Sequence, residues 1–202
     1  MREKMVRCEE KPEAGDKHYQ LGNHFRQKED YKQAIHYYRL AAEEGNKAAH
    51  NKLGFCYQMG LGSGGVPDHA SAFLHYKSAA EHGNPIATTN LATLYRKGLG
   101  VKKDAKKAFE LYESAARSGY IKAWEHLGIC YGRGLGVGQD PKEANKWFAK
   151  YDEAKKLIAN QLDKLGHFSQ SGPQNSSSSM GSLSGGVLPS ISEDERISQS
   201  LS

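Results

Sequence analysis

The sequence predicts an all-α fold: a right-handed α-solenoid of stacked helix-turn-helix units with a disordered Ser-rich C-terminal tail. Three observations lead there. First, Leu53-Gly54-Phe55-Cys56-Tyr57, Leu91-Ala92-Thr93-Leu94-Tyr95 and Leu127-Gly128-Ile129-Cys130-Tyr131 recur at spacings of 38 and 36 residues. That is the period of a supersecondary unit that buries its apolar face only by stacking on its neighbours. Second, another block recurs in step: Asp68, Asp104 and Asp140, then Tyr76, Tyr112 and Phe148, then Ala79-Ala80, Ala115-Ala116 and a fading Ala149-Lys150. Third, 13 of the 37 residues from Gly166 onward are Ser, and so polar a segment buries too little apolar surface to offset the entropy of ordering it.

The elements follow in chain order. A shorter first copy, Leu21-Gly22, Phe25, Asp30, Ala34, Tyr38, Ala41-Ala42 and Gly45, predicts helices over 15–27 and 30–44 joined by a short turn. Ala49, Leu53 and Tyr57, four apart, place one apolar face on a helix over 47–59, and Gly54 on it lets a neighbouring helix approach closely. Gly60, Gly98 and Gly134 stand where a left-handed C-terminal turn takes glycine. Asp68, Asp104 and Asp140 stand where a carboxylate accepts from first-turn amides and complements the helix dipole. They open helices over 69–82, 105–118 and 141–165, with Gly83 and Gly119 ending the first two. Asp140-Pro141-Lys142-Glu143 adds proline at the first helical position and glutamate at the capping-box position. Helices over 85–97 and 121–133 complete the third and fourth units, and the last helix caps the open end of the stack. The expected organisation is a disordered 1–12, a solenoid over 13–165 in units of about 15–45, 47–83, 85–119 and 121–165, and a disordered 166–202.

Composition narrows the function. No apolar run approaches the roughly 18 residues of a membrane span, and no apolar stretch follows Met1 to serve as a signal peptide. The expectation is therefore a cytoplasmic protein with no direct membrane insertion. Cys8, Cys56 and Cys130 form no C-x-x-C pair, which argues against a thiolate zinc site or a disulfide framework. The net charge of +5 rises to +7 over residues 1–165, because the tail holds Glu193, Asp194 and Glu195 against Arg196. This is mildly basic, below what nucleic-acid binding announces.

The run Tyr95-Arg96-Lys97-Gly98-Leu99-Gly100-Val101-Lys102-Lys103-Asp104, with Lys107-Ala108, Tyr112 and Ala115-Ala116, resembles the Sel1-like repeat family, relatives of the tetratricopeptide repeats. The likeness covers about 47–150; residues 15–45 look more like a tetratricopeptide unit. The departures are Ala92 for glycine, the expansion around Ser63-Gly64 and the weak end of the fourth copy. Secreted cysteine-rich members of the family pair a first-helix with a second-helix cysteine. Here Cys56 and Cys130 both fall on first helices, with a repeat between them that puts them roughly 20 Å apart if units stack about 10 Å apart, too far for a disulfide.

The resemblance implies a concave face made by the first helices, with groove positions two before, two after and five after the repeat Leu. These are Tyr19, Asn23 and Arg26; Asn51, Phe55 and Gln58; Thr89, Thr93 and Arg96; and Glu125 and Ile129, with Gly132 completing the pattern. Mixed apolar and hydrogen-bonding residues suit a peptide. A tetratricopeptide clamp on a C-terminal carboxylate is matched only in part: Asn23 and Arg26 fit, but Tyr19 replaces the lysine and Lys52 the asparagine.

Other motifs read as structure. None of the nine histidines falls in an H-E-x-x-H arrangement. Gly60-Leu61-Gly62-Ser63-Gly64-Gly65 lacks the Gly-Lys-Ser/Thr ending of a phosphate loop and follows a helix. Cys56 and Cys130 share a helix position with Leu94, which makes them packed core thiols instead of nucleophiles. The basic patches at Lys102-Lys103, Lys106-Lys107 and Lys146, Lys150, Lys155 and Lys156 carry no aromatic stacking face. In the tail, Ser190 and Ser192 precede Glu193-Asp194-Glu195, a pattern that acidophilic kinases favour. The expected function is a non-enzymatic scaffold or adaptor that binds a protein or peptide partner on its concave face, without cofactor, metal or small-molecule substrate. A role as regulator or activator of a signalling or membrane-enzyme complex is compatible with this expectation. RNA binding by the basic solenoid and a hydrolase resembling bacterial family members are the alternatives.

Overall fold

The computed structural model describes residues 15–170, with side chains to residue 161. The disorder expected for 1–12 and for the Ser-rich tail beyond 170, Cys8, and the phosphorylation sites Ser190 and Ser192 lie outside the described residues. Eight helices follow one another: α1 (Asp16–Gln27), α2 (Tyr31–Glu43), α3 (Lys47–Met59), α4 (His69–Glu81), α5 (Pro85–Lys97), α6 (Ala105–Arg117), α7 (Ile121–Arg133) and α8 (Pro141–Gln170). No strand occurs among the described residues. α8 runs five residues past the expected end at 165: Gly166 costs a helix only about 1 kcal/mol, and the first proline that would stop it is Pro173.

The caps form as the sequence implies. Asp30, Asp68, Asp104 and Asp140 each accept a first-turn amide at 2.9–3.1 Å, from Gln33, Ser71, Lys107 and Glu143. Asn46 and Asn84 do the same for α3 and α5 at 3.0 Å, whereas Tyr120 begins α7 without a side-chain cap and packs on the core instead. At the other end, the Gly60 amide donates to the Tyr57 carbonyl and the Leu61 amide to the Cys56 carbonyl, the double bond of a Schellman turn. One bond closes every unit: the Asp30, Asp68, Asp104 and Asp140 amides donate to the carbonyls of Phe25, Tyr57, Tyr95 and Tyr131 at 2.9–3.0 Å. The turn it spans varies from unit to unit, so the expansion around Ser63-Gly64 bulges outward without moving the helices.

Within each unit the first helix packs on the second, and each second helix packs on the next first helix. First helices α3 and α5 also touch. The first-helix layer is the one that the repeat resemblance assigns to the concave face. The core consists of three clusters of alanines, tyrosines and leucines joined through half-buried Tyr57, Tyr95 and Leu111; Ala34, Tyr38, Leu53, Ala72, Tyr76, Leu94, Tyr112 and Leu127 are essentially inaccessible. Tyr95 sets its edge against Phe73 and Tyr131 against Phe109, ring centroids 5.5 and 5.4 Å apart. Each reaches back to the second helix of the preceding unit, which is the stacking role that their recurrence implies.

Candidate functional site

The concave layer is built around three buried phenols. Tyr38, Tyr76 and Tyr112 enter from second helices and lose all exposure. Each hydroxyl emerges at a groove position of the first helix of its own unit. Tyr38 donates to Asn23 Oδ1 at 2.8 Å and Tyr76 to Gln58 Oε1 at 2.8 Å. Tyr112 pairs with Thr93 Oγ1 at 2.9 Å and accepts from Arg96 Nε at 3.3 Å. Burial raises the pKa of all three, so they are permanent neutral hydrogen-bonding groups. A buried hydroxyl without a partner costs about 1–3 kcal/mol, and these groove side chains remove that cost. In the fourth unit the phenol is replaced by Phe148, and Gly132 stands opposite Ala144; hydroxyl and polar partner disappear together.

The groove positions thus divide. Asn23, Gln58, Thr93 and Arg96 are engaged inward on the phenols. Thr89 is 4% exposed and its hydroxyl donates to the Pro85 carbonyl at 2.9 Å, so it presents no contact surface. Arg26 lies beside Tyr38 and Cys56. Tyr19 tilts against Tyr38 at 5.9 Å. Asn51, Glu125 and Ile129 are half-buried, and the Asn51 Oδ1 is enclosed without a hydrogen-bond partner. Phe55 is the groove residue that projects, 43% exposed, with Met59 one turn on at 52%. Sequence reasoning missed Met59, which stands six residues after the repeat Leu; its spacing of four from Phe55 was the available signal.

Charge is distributed unevenly between the two layers. Each first helix carries two Lys or Arg, and the whole layer only two acids, Asp16 and Glu125. Asp16 is bonded to Asn46 Nδ2 at 2.8 Å. The second helices mix their charges instead, with the pairs Lys77–Glu81, Lys107–Glu110, Arg117–Glu113 and Lys146–Glu143. The concave layer is accordingly the electropositive one, with Phe55 and Met59 as an apolar patch between Arg26 on α1 and Arg96 and Lys97 on α5.

A hydrolytic centre finds no support in the described residues. Cys56 and Cys130 are buried free thiols, pushed up to about 11 by burial, the opposite of an activated nucleophile. His75 and His126 are held down to about 4, chiefly by burial. His75 stacks on Tyr57 with planes 1° apart and shares a 3.1 Å Nδ1 to Nδ1 contact with His50; Tyr57 in turn accepts from Arg39 of the preceding unit. Among the described residues no three His, Cys, Asp or Glu converge as metal ligands, and no helix is long and apolar enough to cross a membrane. The turn Gly60–Gly65 closes on itself, Ser63 Oγ donating to the carbonyls of Gly60 and Val66.

The Sel1 repeat model matches residues 14–46, 47–84, 85–120 and 125–150. The chain belongs to the Sel1 repeat family. The first match includes the short unit that looked more like a tetratricopeptide repeat. A solved structure of c5321, described as a protective antigen present in uropathogenic Escherichia coli strains displaying an SLR fold, is 32% identical with a TM-score of 0.64, covering 73% of this chain and 33% of that one. A Sel1 repeat protein from Oxalobacter formigenes is 30% identical with a TM-score of 0.59, covering 68% of this chain and 56% of that one. The chain therefore spans about a third and just over half the length of these two relatives. No functionally curated protein matches it. Sel1 repeats generally mediate protein–protein interaction and are typically non-catalytic.

Proposed function

We propose that the chain is a non-enzymatic adaptor whose concave first-helix layer binds an acidic, partly apolar segment of a partner protein. The observation that carries this reading is the exposed Phe55–Met59 pair set in a layer with two basic residues on every helix and only two acids. Exposed apolar side chains inside a groove supply the anchor, and the surrounding cations steer and select the partner's charge. Tyr19, Asn51, Glu125 and Ile129 flank the anchor as further contact positions. Asn23, Arg26, Gln58, Thr93 and Arg96 shape the groove from beneath while presenting their remaining polar edges to it.

The test is a proximity-labelling comparison of wild type with Phe55→Ser/Met59→Ser/Lys97→Glu, three positions outside the phenol bonds, after circular dichroism shows equal helicity. Partners that disappear with the variant support the groove and name the pathway, including any signalling or membrane-enzyme complex the adaptor serves. An unchanged partner set moves binding to the convex face. Retention on nucleic acid that weakens steeply with salt and is lost in the variant would replace the reading with RNA binding.

A further inference from the structure

We propose that the chain's own segment Ser190-Ile191-Ser192-Glu193-Asp194-Glu195 occupies the concave layer and must be displaced before a partner binds. The inference rests on the reading of that layer as a surface for acidic segments. Beyond residue 170 the chain holds three acids, and all three are contiguous, Glu193 to Glu195. The concave layer holds the complementary excess, eight basic residues against Asp16 and Glu125. The acids are bracketed by Ile191 and Ile197, apolar side chains of the size that Phe55 and Met59 would bury. An acidic segment carrying its own apolar flank thus meets a basic face carrying its own apolar patch.

The connection is long enough. Nineteen residues separate Gln170, the end of α8, from Ser190, and the Cα-to-Cα steps across them reach about 66–72 Å when extended. α8 with its 30 residues is about 45 Å long, and two units of the stack add about 20 Å. The intervening sequence is rich in Ser and Gly, with Ser176–Ser179 and Gly185-Gly186. Tethering makes the contact intramolecular, so its occupancy does not depend on the concentration of the chain. Phosphate on Ser190 or Ser192 adds charge to the same segment and tightens its hold.

Zero-length carbodiimide cross-linking of the full chain reads the contact directly. The expected products join Glu193, Asp194 or Glu195 to Lys47, Lys52 or Lys97 within one chain. They vanish in 0.5 M salt and in the Glu193→Gln/Asp194→Asn/Glu195→Gln variant. A labelled peptide of sequence Ile-Ser-Glu-Asp-Glu-Arg-Ile, followed by anisotropy, is expected to bind that variant at least tenfold more tightly than wild type. Equal binding to both with no such cross-links overturns the self-docking and leaves the groove reading standing. Binding to neither removes both. Cross-links formed only between isotopically distinct chains overturn the intramolecular arrangement in favour of docking on a second copy.

Discussion

The Tyr76 hydroxyl donates to Gln58 Oε1 at 2.8 Å, joining the buried ring of a second helix to the concave rim of the first helix in the same unit. Tyr38 with Asn23 and Tyr112 with Thr93 repeat the relationship through different side chains. The groove's polar lining is thus partly the visible end of the core. Tyr76→Phe is expected to lose about 1 kcal/mol of stability at an unchanged urea m-value, while Gln58→Leu added to it costs little more. Additive losses in that double-mutant cycle would show that the bond is not the coupling.

Glycine in the first helix is a packing requirement. A Cβ at Gly54 would sit 2.6 Å from the Tyr76 ring, and at Gly128 2.7 Å from the Phe148 ring. In the third unit Ala92 fills that space, and Tyr112 stacks on His126 with centroids 4.7 Å apart. Gly54→Ala is expected to destabilise by about 1–3 kcal/mol through overpacking, despite alanine's better helix propensity. Ala92→Gly costs about 1 kcal/mol, by backbone entropy and a lost contact. Urea midpoints of the two variants check both magnitudes.

The second glycine of each turn sets the distance between units. Gly100 and Gly136 have φ of +67° and +76°, and an added Cβ would fall 2.2 Å from the His69 carbonyl oxygen and 2.1 Å from that of Ala105, at the start of the preceding unit's second helix. Backbone cannot yield as a side chain can. Gly136→Ala is therefore expected to cost at least about 3 kcal/mol, and Gly64→Ala, at φ +71° in open space, only about 1 kcal/mol. Thermal melts that rank the two the other way would refute the role assigned to Gly136.

Acid should loosen the stack before the carboxylates titrate. His75 and His126 are held down to about 4, and His50 is lowered as well, burial being the first cause in each case. The groups facing them are His50, Arg39 and Tyr57 around His75, His75 and His82 around His50, and Arg96, Lys97, Lys122 and Tyr112 around His126. Because the folded state resists protonation, the unfolded chain binds protons first. Stability therefore falls as pH drops from about 6.5 toward 4 and gains no further loss from these groups below that. Urea midpoints between pH 7 and 4 should decline in wild type and flatten in His75→Gln/His126→Gln.

The buried thiols should be inert. Pushed up to about 11 and closed off from solvent, Cys56 and Cys130 are expected to leave Ellman's reagent unreacted in a Cys8→Ser background, and to release two equivalents once the chain unfolds in guanidinium. Prompt labelling of the native state would show that the first-helix core opens readily.

The sequence by itself determined the helices, their caps and the unit boundaries, because those depend on interactions three to five residues apart. Asp68 reaching Ser71, Asp104 reaching Lys107, and Gly60 closing on Tyr57 and Cys56 are all written within one turn of chain. Repetition then made the stacking legible, since Tyr95 and Tyr131 recur at a position that only a neighbouring unit can cover. What the tertiary structure alone decided was which way the groove residues face. Asn23 and Thr93 share the offset of Phe55, two after the repeat Leu, yet they turn toward phenols 15 and 19 residues along the chain, while Phe55 meets none. The contact of Gly136 with Ala105 and the gathering of cations on one layer belong to the same class. Each depends on how one helix is rotated and spaced against another, and a periodic sequence fixes that only after the side chains between them have packed.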